Sequence, residues 1–155
     1  MCIKYENLPP MNNKIPEGFK AFSSISGFID LVGPYYFGGQ DGDTLRYGYL
    51  TSEDHQNTNG VIHGGALMTF ADTAMGSSVY RAVKGPCATI SMNNEFIAGA
   101  KPGEWIEATV VITKVTRTLA FVRAELVSEG KTVLNSSGIW KVFSPKSVTH
   151  PEPSF

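Results

Sequence analysis

The longest run of helical periodicity in the chain extends from Gly64 to Val83. Its apolar side chains recur at spacings of three and four residues, and Lys84-Gly85-Pro86 supplies a stop, because glycine accepts the left-handed cap and proline cannot continue a helix. Apolar residues occupy nearly the whole circumference, which is typical of a buried helix. The pattern predicts a long central helix over 64–83.

The chain after this helix has the pattern of strands separated by turns. Strand-like segments cover 88–98, 105–115, 118–128 and 132–143. Turn residues recur about every ten to fifteen positions and no helical pattern intervenes, so antiparallel pairing is favoured.

Before the helix, apolar residues spaced three and four apart predict an amphipathic helix within 18–37, broken at Gly33-Pro34. The sequence "GGQDGD" (38–43) predicts a turn, and the alternation in 44–53 predicts one more strand. The order of helix, strand, long helix and four strands predicts an α+β fold in which an antiparallel sheet buries the apolar helix.

The length of 155 residues, 42% of them hydrophobic, suggests one domain with a sizeable core. We expect an irregular N-terminal arm over 1–16, a single domain over 17–143 and an irregular C-terminal tail over 144–155. The net charge of −1 gives no electrostatic footprint for nucleic acid or for a membrane surface.

The apolar runs fall short of the roughly 18 residues that a membrane span needs, and the N-terminus has no secretory apolar core. The two cysteines, Cys2 and Cys87, form neither a disulfide scaffold nor a zinc-type spacing. We therefore expect a cytoplasmic protein with Cys87 as an inert thiol.

Asp72 is the one charged residue between His63 and Tyr80. An isolated carboxylate in apolar surroundings costs several kcal/mol unless it is paired or used. The predicted helix begins with Gly64-Gly65, where the first N–H groups lack internal partners and the helix dipole favours negative charge. Glycine lets a ligand approach these groups, which suits them to an oxyanion. The alternatives are that the glycines permit tight packing and that Asp72 accepts hydrogen bonds inside the core.

Helix geometry separates the two features. Asp72 lies seven residues after Gly65, on the same side of the helix but about 10 Å further along. A carboxylate at that distance cannot act on a carbonyl held at the same helix N-terminus. If both groups serve one substrate, they come from different chains, which predicts a two-fold dimer.

Several nearby residues are candidates with ordinary structural alternatives. His63 could orient a carbonyl, or it could bond to the backbone at the start of the helix. Asn57 could offer its amide group to a ligand, or it could form a turn. Thr89 and Ser91 could position water or simply favour a strand. Serine-hydrolase, phosphate-loop and dinucleotide motifs are absent, and no metal-ligand spacing is present.

Asn57 is followed after five residues by His63-Gly64-Gly65, and Asp72 stands nine residues after the histidine. This pattern resembles hotdog-fold acyl-CoA thioesterases of the phenylacetic-acid-degradation (PaaI-like) subfamily, over about residues 40–143. The resemblance implies a sheet of about five or six strands wrapped around the long helix, with the N-terminal helix as an addition. It also implies homodimers joined edge to edge, usually paired into homotetramers.

The resemblance also implies roles for the candidates. The N–H of Gly64 would polarise a thioester carbonyl, and Asp72 of the partner subunit would act as general base or nucleophile. Thr89 would hold the water, and Asn57 and His63 would orient the reacting groups. No cofactor or metal is implied, since coenzyme A enters as part of the substrate.

Positional match to the family also implies residues that bind coenzyme A. They are Gly65, Ser91, Phe96, Ile97, Ala98, Gly99, Ala100, Lys101, Lys114, Arg117, Thr118 and Lys141. The cationic members suit phosphate groups, although each could instead be a solvated surface charge.

Two other functions are possible on such a fold. The hydratase branch needs a histidine five residues after the helical acid, where this chain has Ser77, so that function is disfavoured. A non-catalytic acyl-CoA-binding protein is the other alternative.

Overall fold

The computed structural model describes residues 14–22 and 27–143. Seven strands form one antiparallel sheet, and a long helix packs against one of its faces. In chain order the elements are β1 (Lys20–Ala21), α1 (Phe28–Val32), β2 (Tyr35–Asp41), β3 (Thr44–Leu50), a 3-10 turn (Glu53–His55), α2 (Gly64–Val83), β4 (Cys87–Phe96), β5 (Trp105–Val115), β6 (Leu119–Ser128) and β7 (Lys131–Val142). The expected α+β architecture is confirmed, with seven strands in place of five or six.

The strand order β1-β2-β3-β5-β6-β7-β4 leaves β4 at one edge of the sheet. This strand follows α2 directly in the sequence, pairs along one side with β7 and lies beside the helix. The sheet edge and the helix are therefore neighbours, and the candidate residues lie between them.

The helix α2 has the predicted bounds and buries Leu67, Phe70, Ala74 and Met75 against the sheet. It ends at Lys84, which adopts the left-handed conformation with φ of 51°. The prediction that Gly85 supplies this cap is therefore wrong by one position, and the stop signal itself is in the expected place.

The predicted N-terminal helix within 18–37 is much shorter than expected. Of the described residues in this segment, Phe28–Val32 are helical, whereas Lys20–Ala21 and Tyr35–Asp41 are strands. Lys20 and Ala21 pair with Phe37 and Tyr36 of β2, and this pairing replaces the first part of the predicted helix. Strand β2 itself follows the predicted break at Gly33-Pro34, and its aromatic residues favour a strand. The predicted turn at 38–43 shrinks to two residues between β2 and β3.

Glycines explain why aromatic side chains cover the outer face of β2 and β3. A Cβ atom at Gly38 would lie 2.4 Å from the ring of Phe19, and one at Gly48 would lie 2.0 Å from the ring of Trp105. The two rings meet edge to face with centroids 5.0 Å apart. The segment before β2 is thereby held against the sheet, far from β4 in the strand order.

Candidate active site

The N-terminus of α2 leaves one backbone donor unused. The ring nitrogen Nδ1 of His63 accepts a hydrogen bond from Gly65 N–H at 2.8 Å. The N–H groups of Ala66 and Leu67 donate to the His63 carbonyl at 2.9 and 3.3 Å. Within the described part of the chain, Gly64 N–H has no acceptor. This N–H is therefore the group that can bind an oxyanion.

His63 is thus a cap of α2, as the structural alternative predicted. Because its Nδ1 accepts a hydrogen bond, the neutral ring carries its proton on Nε2. The side chain is exposed, so Nε2–H is available to a ligand. Its role in orienting a carbonyl stays a prediction.

Side chains approach both glycines at the start of α2 closely. A Cβ atom at Gly64 would lie 3.0 Å from the ring of Phe96, and one at Gly65 would lie 2.9 Å from Nδ1 of His63. Phe96 is 53% exposed, so its ring forms one wall beside Gly64 that solvent can reach. The packing alternative and the ligand-binding hypothesis are both compatible with this arrangement.

Asp72 has one hydrogen-bond partner in the structure. Thr89 Oγ1 donates to Asp72 Oδ1 at 2.6 Å, and no other described side chain donates to this carboxylate. The carboxylate is partly buried and the threonine is exposed. The register of β4 against β7 shifts between Thr89 and Ser91, and this irregularity accompanies the bond to the helix. The remaining carboxylate oxygen is open to a further partner such as water.

The two halves of the candidate site are separate within one chain. Asp72 lies eight positions after Gly64, which is about 12 Å along the helix. Phe96 lies by Gly64, and Thr89 lies by Asp72, so β4 runs antiparallel to α2 and spans both halves. One chain does not bring the oxyanion donor and the carboxylate together.

Asn57 takes part in a turn of the loop that leads into α2. Its Oδ1 accepts a hydrogen bond from Asn59 N–H at 2.8 Å, and its backbone N–H donates to the Val61 carbonyl at 2.8 Å. The turn alternative is therefore what the structure shows. An additional role of the Asn57 amide toward a substrate stays a prediction.

Most of the residues expected to bind coenzyme A lie toward two opposite ends of the sheet, and Ser91 lies between them on β4. Phe96 to Lys101 follow β4, near the Gly64 end of α2. Lys114, Arg117 and Thr118 lie at the hairpin between β5 and β6, and Lys141 is paired with the first residue of β6. The strand register places Lys114 level with Ser91, five residues from Phe96 along β4, which is about 17 Å, and the 116–118 turn lies further along.

Not all of these residues present a side chain to solvent. Ala100 is fully buried, and its carbonyl accepts a hydrogen bond from Ile62 N–H at 2.8 Å. It therefore supports the loop from inside. Ser91 and Lys101 are exposed, and the Lys101 carbonyl accepts hydrogen bonds from Thr51 and Glu104.

Two exposed apolar residues beside the site were not singled out from the sequence. Met68 is 40% exposed and Ile90 is 56% exposed. Met68 lies four residues from both Gly64 and Asp72, so helical spacing alone places it on the same stripe of α2. That spacing was the available signal, whereas the exposure of Ile90 depends on β4 being an edge strand.

Cys87 occupies the far end of the same strand. Its Sγ contacts the Gly76 carbonyl at 3.5 Å. Burial, with a smaller contribution from the charge of Asp72, raises the pKa of the thiol. A raised pKa keeps the sulfur protonated and poorly nucleophilic near neutral pH, in agreement with the expected inert thiol. Cys2 lies outside the described residues.

Among residues 14–22 and 27–143, no group of three or more His, Cys, Asp or Glu side chains is arranged to hold a metal ion. In the same ranges, no helix is both long and apolar enough to cross a membrane.

Comparison with known proteins identifies the class. The family model described as Thioesterase superfamily matches residues 59–134. A Pseudomonas aeruginosa protein named as an esterase is 30% identical over 128 residues, covering 81% of this chain and 96% of that protein. Human acyl-coenzyme A thioesterase 13 is 26% identical over 129 residues, covering 83% of this chain and 92% of that protein.

A solved structure agrees with these sequence relationships. A variant of the phenylacetic acid degradation protein PaaI from Thermus thermophilus superposes with a TM-score of 0.65 at 25% identity, covering 74% of this chain and 97% of that one. The sheet packed on one central helix is the hotdog fold of thioester hydrolases. The chain belongs to the thioesterase superfamily.

Proposed function

We propose that the protein is an acyl-CoA thioesterase whose active site is shared between two subunits. The observation that carries the proposal is the separation of Gly64 N–H, which lacks an acceptor among the described residues, from the Asp72–Thr89 pair on the same helix. Each subunit would supply one half of each site. Acyl-CoA as the substrate is supported by the relatedness to acyl-coenzyme A thioesterase 13.

The exposed edge of the sheet supports a dimer. Strand β4 has ten residues, contains no proline or lysine, and pairs on one side only among the described residues. A long exposed edge strand is a template for pairing with another chain. Ile90, Phe96 and Ile97 are each more than half exposed, and such an apolar group marks an interaction surface.

A two-fold axis beside this edge would place the two β4 strands antiparallel. Gly64 of one subunit would then approach Asp72 of the partner subunit. The same rotation would bring the 96–101 segment of one subunit toward the 114–118 hairpin of the other. Both separations described above are explained by this one symmetry operation.

In the proposed reaction, Asp72 of the partner subunit takes a proton from water while the water oxygen attacks the thioester carbon. The π electrons of the carbonyl move to its oxygen, where Gly64 N–H stabilises the negative charge. When the carbonyl re-forms, the C–S bond breaks and the sulfur receives the proton from Asp72. The products are the free acid and coenzyme A, and the reaction requires neither a metal nor a cofactor.

The rate factors typical of a general base and an oxyanion donor are sufficient for hydrolysis of a thioester. A general base contributes about 10²–10⁴-fold, and an oxyanion donor about 10²–10³-fold. Thr89 would hold the Asp72 carboxylate in position through the 2.6 Å hydrogen bond. The unshared carboxylate oxygen would then bind the attacking water.

Subunit complementation tests the shared site. Gly64→Pro removes the N–H at the first helical position, where proline is well tolerated, and His63 has the extended backbone (φ −61°, ψ 135°) that suits a following proline. Asp72→Asn removes the base. Each variant alone is expected to be nearly inactive toward acyl-CoA.

When equal amounts of the two variants are unfolded and refolded together, half of the dimers are mixed, and each mixed dimer has one intact site. Thiol release should recover to about a quarter of the wild-type rate. A mixture that stays inactive while mixed dimers form would contradict the shared site. An inactive wild-type protein across short, long and aromatic acyl-CoA substrates would contradict the thioesterase function.

A further inference from the structure

Strand β4 carries a polar side chain that the proposed reaction does not use. In the register with β7, Phe96, Asn94 and Met92 are opposite Leu134, Ser136 and Gly138. Alternate residues of a strand share one face of the sheet. The ring of Phe96 contacts the α2 side of the sheet at Gly64, so Asn94 lies on the face toward α2.

Asn94 also lies between the two halves of the candidate site. Phe96 marks the Gly64 end of β4, and Thr89 marks the Asp72 end. Strand geometry puts Asn94 about 7 Å from the level of Phe96, in the direction of Thr89. A ligand lying along this part of β4 would pass the Asn94 amide.

A buried partner orients this amide. Ser136 is 4% exposed, and its Oγ donates to Asn94 Oδ1 at 2.8 Å. The carbonyl end of the amide is thereby used. Its NH₂ group has no acceptor in the described ranges, and the side chain is only partly buried. The structure thus contains two N–H donors held in a fixed direction by the sheet.

We propose that Asn94 is a specificity-determining residue that donates a hydrogen bond to a neutral oxygen on the acyl group, with Ser136 as its positioning residue. This inference rests on the proposed function. A hydrocarbon acyl group would remove water from the amide without replacing the hydrogen bond, which is unfavourable. A ketone, hydroxyl or ether oxygen would replace it.

The spacing of Asn94 from Phe96 along β4 limits the position of the oxygen on the acyl chain. About 7 Å from the level of Gly64 and Phe96 corresponds to about four to six bonds beyond the thioester carbon. Suitable probes are hexanoyl-CoA, 5-oxohexanoyl-CoA and 6-hydroxyhexanoyl-CoA, which share a chain length and differ in the distal oxygen.

The test compares kcat/KM for these three thioesters, followed by thiol release. The wild-type protein should prefer the oxygenated substrates by about tenfold, the equivalent of one net hydrogen bond. Asn94→Leu should abolish or reverse this preference, chiefly by lowering kcat/KM for the oxygenated pair. Ser136→Ala keeps the Asn94 amide but removes the hydrogen bond that fixes its direction, so the preference should fall only in part.

Asn93→Leu is the matched control, because Asn93 is exposed and lies on the opposite face of the same strand. It should keep the wild-type preference. Circular dichroism establishes that each variant is folded, and Asn94→Ala replaces Asn94→Leu should the larger side chain prevent folding. A wild-type protein without preference, or a preference that survives the loss of the amide, would overturn the inference and leave the thioesterase function intact.

A calorimetric titration separates this inference from the proposed function. The three thioesters are titrated into Asp72→Asn, with and without Asn94→Leu. Should the wild-type protein hydrolyse neither these three nor the short, long and aromatic acyl-CoA substrates, the proposed function fails, but tighter binding of the oxygenated pair that depends on Asn94 still supports the inference. Equal binding of all three, or no binding, overturns it.

Discussion

The two flanks of α2 differ in what they pack against and in how far their side chains are buried. On the β4 flank, Gly64, Asp72 and Gly76 lie beside Phe96, Thr89 and Cys87 of the edge strand, and Met68 shares their four-residue spacing. On the tyrosine flank, Phe70 and Ser78 pack against tyrosines of β2 and β3: ring centroids of Tyr35 and Tyr49 lie 5.1 and 5.3 Å from that of Phe70, and Ser78 Oγ is 3.0 Å from Tyr47 Oη.

The tyrosine flank is closed within one chain, whereas the β4 flank is not. Tyr35, Tyr47 and Tyr49 are at most 2% exposed, but Met68 and Ile90 are 40% and 56% exposed. On the proposed function, the tyrosine flank stabilises the fold, and the β4 flank is completed by the partner subunit and the substrate.

The largest effect is expected from Asp72→Asn. Loss of the general base should lower kcat by about 10²–10⁴-fold with little change in the melting temperature. Thiol release from acyl-CoA and thermal unfolding measure the two quantities. Asp43→Asn, an exposed carboxylate in the β2–β3 turn, is the control and should leave kcat unchanged. Equal activity of both variants would remove Asp72 from the mechanism.

Gly64→Pro and Gly64→Ala separate the backbone donor from the packing role of the glycine. Both add a Cβ atom near the Phe96 ring, at 3.0 Å on ideal geometry, but only proline deletes the N–H. We expect kcat to fall about 10²–10³-fold in Gly64→Pro and much less in Gly64→Ala. Losses of the same size in the two variants would show that the ring contact, and not the oxyanion donor, limits the reaction.

Ile90→Lys tests whether the exposed edge is an interface. A charge at this position should prevent β4 from pairing with a second copy, giving a monomer without thioesterase activity. Sedimentation velocity measures the mass. Leu31→Lys is the control, because Leu31 is even more exposed at 76% but lies on α1, and it should keep the wild-type mass. A dimer that persists in Ile90→Lys would place the interface elsewhere.

Two tyrosine variants probe the closed flank. Tyr47 Oη has Ser78 as a partner, whereas Tyr49 Oη is buried without a partner among the residues that the structure describes. Tyr47→Phe should lower the free energy of unfolding by about 1 kcal/mol, and Tyr49→Phe should leave it unchanged or raise it slightly. Urea unfolding measures both. A Tyr49→Phe variant that is less stable than Tyr47→Phe would reverse the assignment.

The smallest effect is expected from pH. Burial, opposed in part by the charge of Asp54, lowers the pKa of His55 below its ordinary value of 6.5. The unfolded chain then binds the proton more readily, so stability is present above pH 6.5 and is lost as the pH falls through the folded-state value. Urea unfolding between pH 7.5 and about 5 should show this decline.

His55→Asn is the matched variant for that measurement. It removes the titrating ring while keeping a side-chain acceptor for Ser52, whose N–H donates to His55 Nδ1 at 2.9 Å. Its stability should depend less on pH over the same interval. An equal dependence in both proteins would assign the titration to another group.

Much of the fold was predictable because local signals agreed with the tertiary arrangement. The helix at 64–83 and the strand at 105–115 have the predicted bounds, and the other strands after α2 differ by two residues or fewer at each end. The helix predicted before Gly33-Pro34 is present only in part among the described residues. Lys20 and Ala21 pair with β2 instead, whereas α1 keeps the helical spacing over Phe28–Val32.

The candidate site was predictable as a set of residues but not as an arrangement. The sequence pattern singled out Gly64 and Asp72, and helical rise showed that they lie too far apart to share a substrate in one chain. The unused N–H belongs to Gly64 and not to Gly65, because the His63 ring turns back and accepts the hydrogen bond of Gly65 N–H. A side-chain conformation of this kind is not encoded in residue spacing.

By itself, the sequence determined the elements, the buried helix and the identity of the candidate catalytic residues, because periodicity and motif spacing are properties of consecutive residues. The tertiary structure decided which donor is unused, that Thr89 bonds to Asp72, and that β4 is an exposed edge with Asn94 on its α2 side. These features arise where segments far apart in the chain meet. Their geometry follows from strand order and register, which no local pattern specifies.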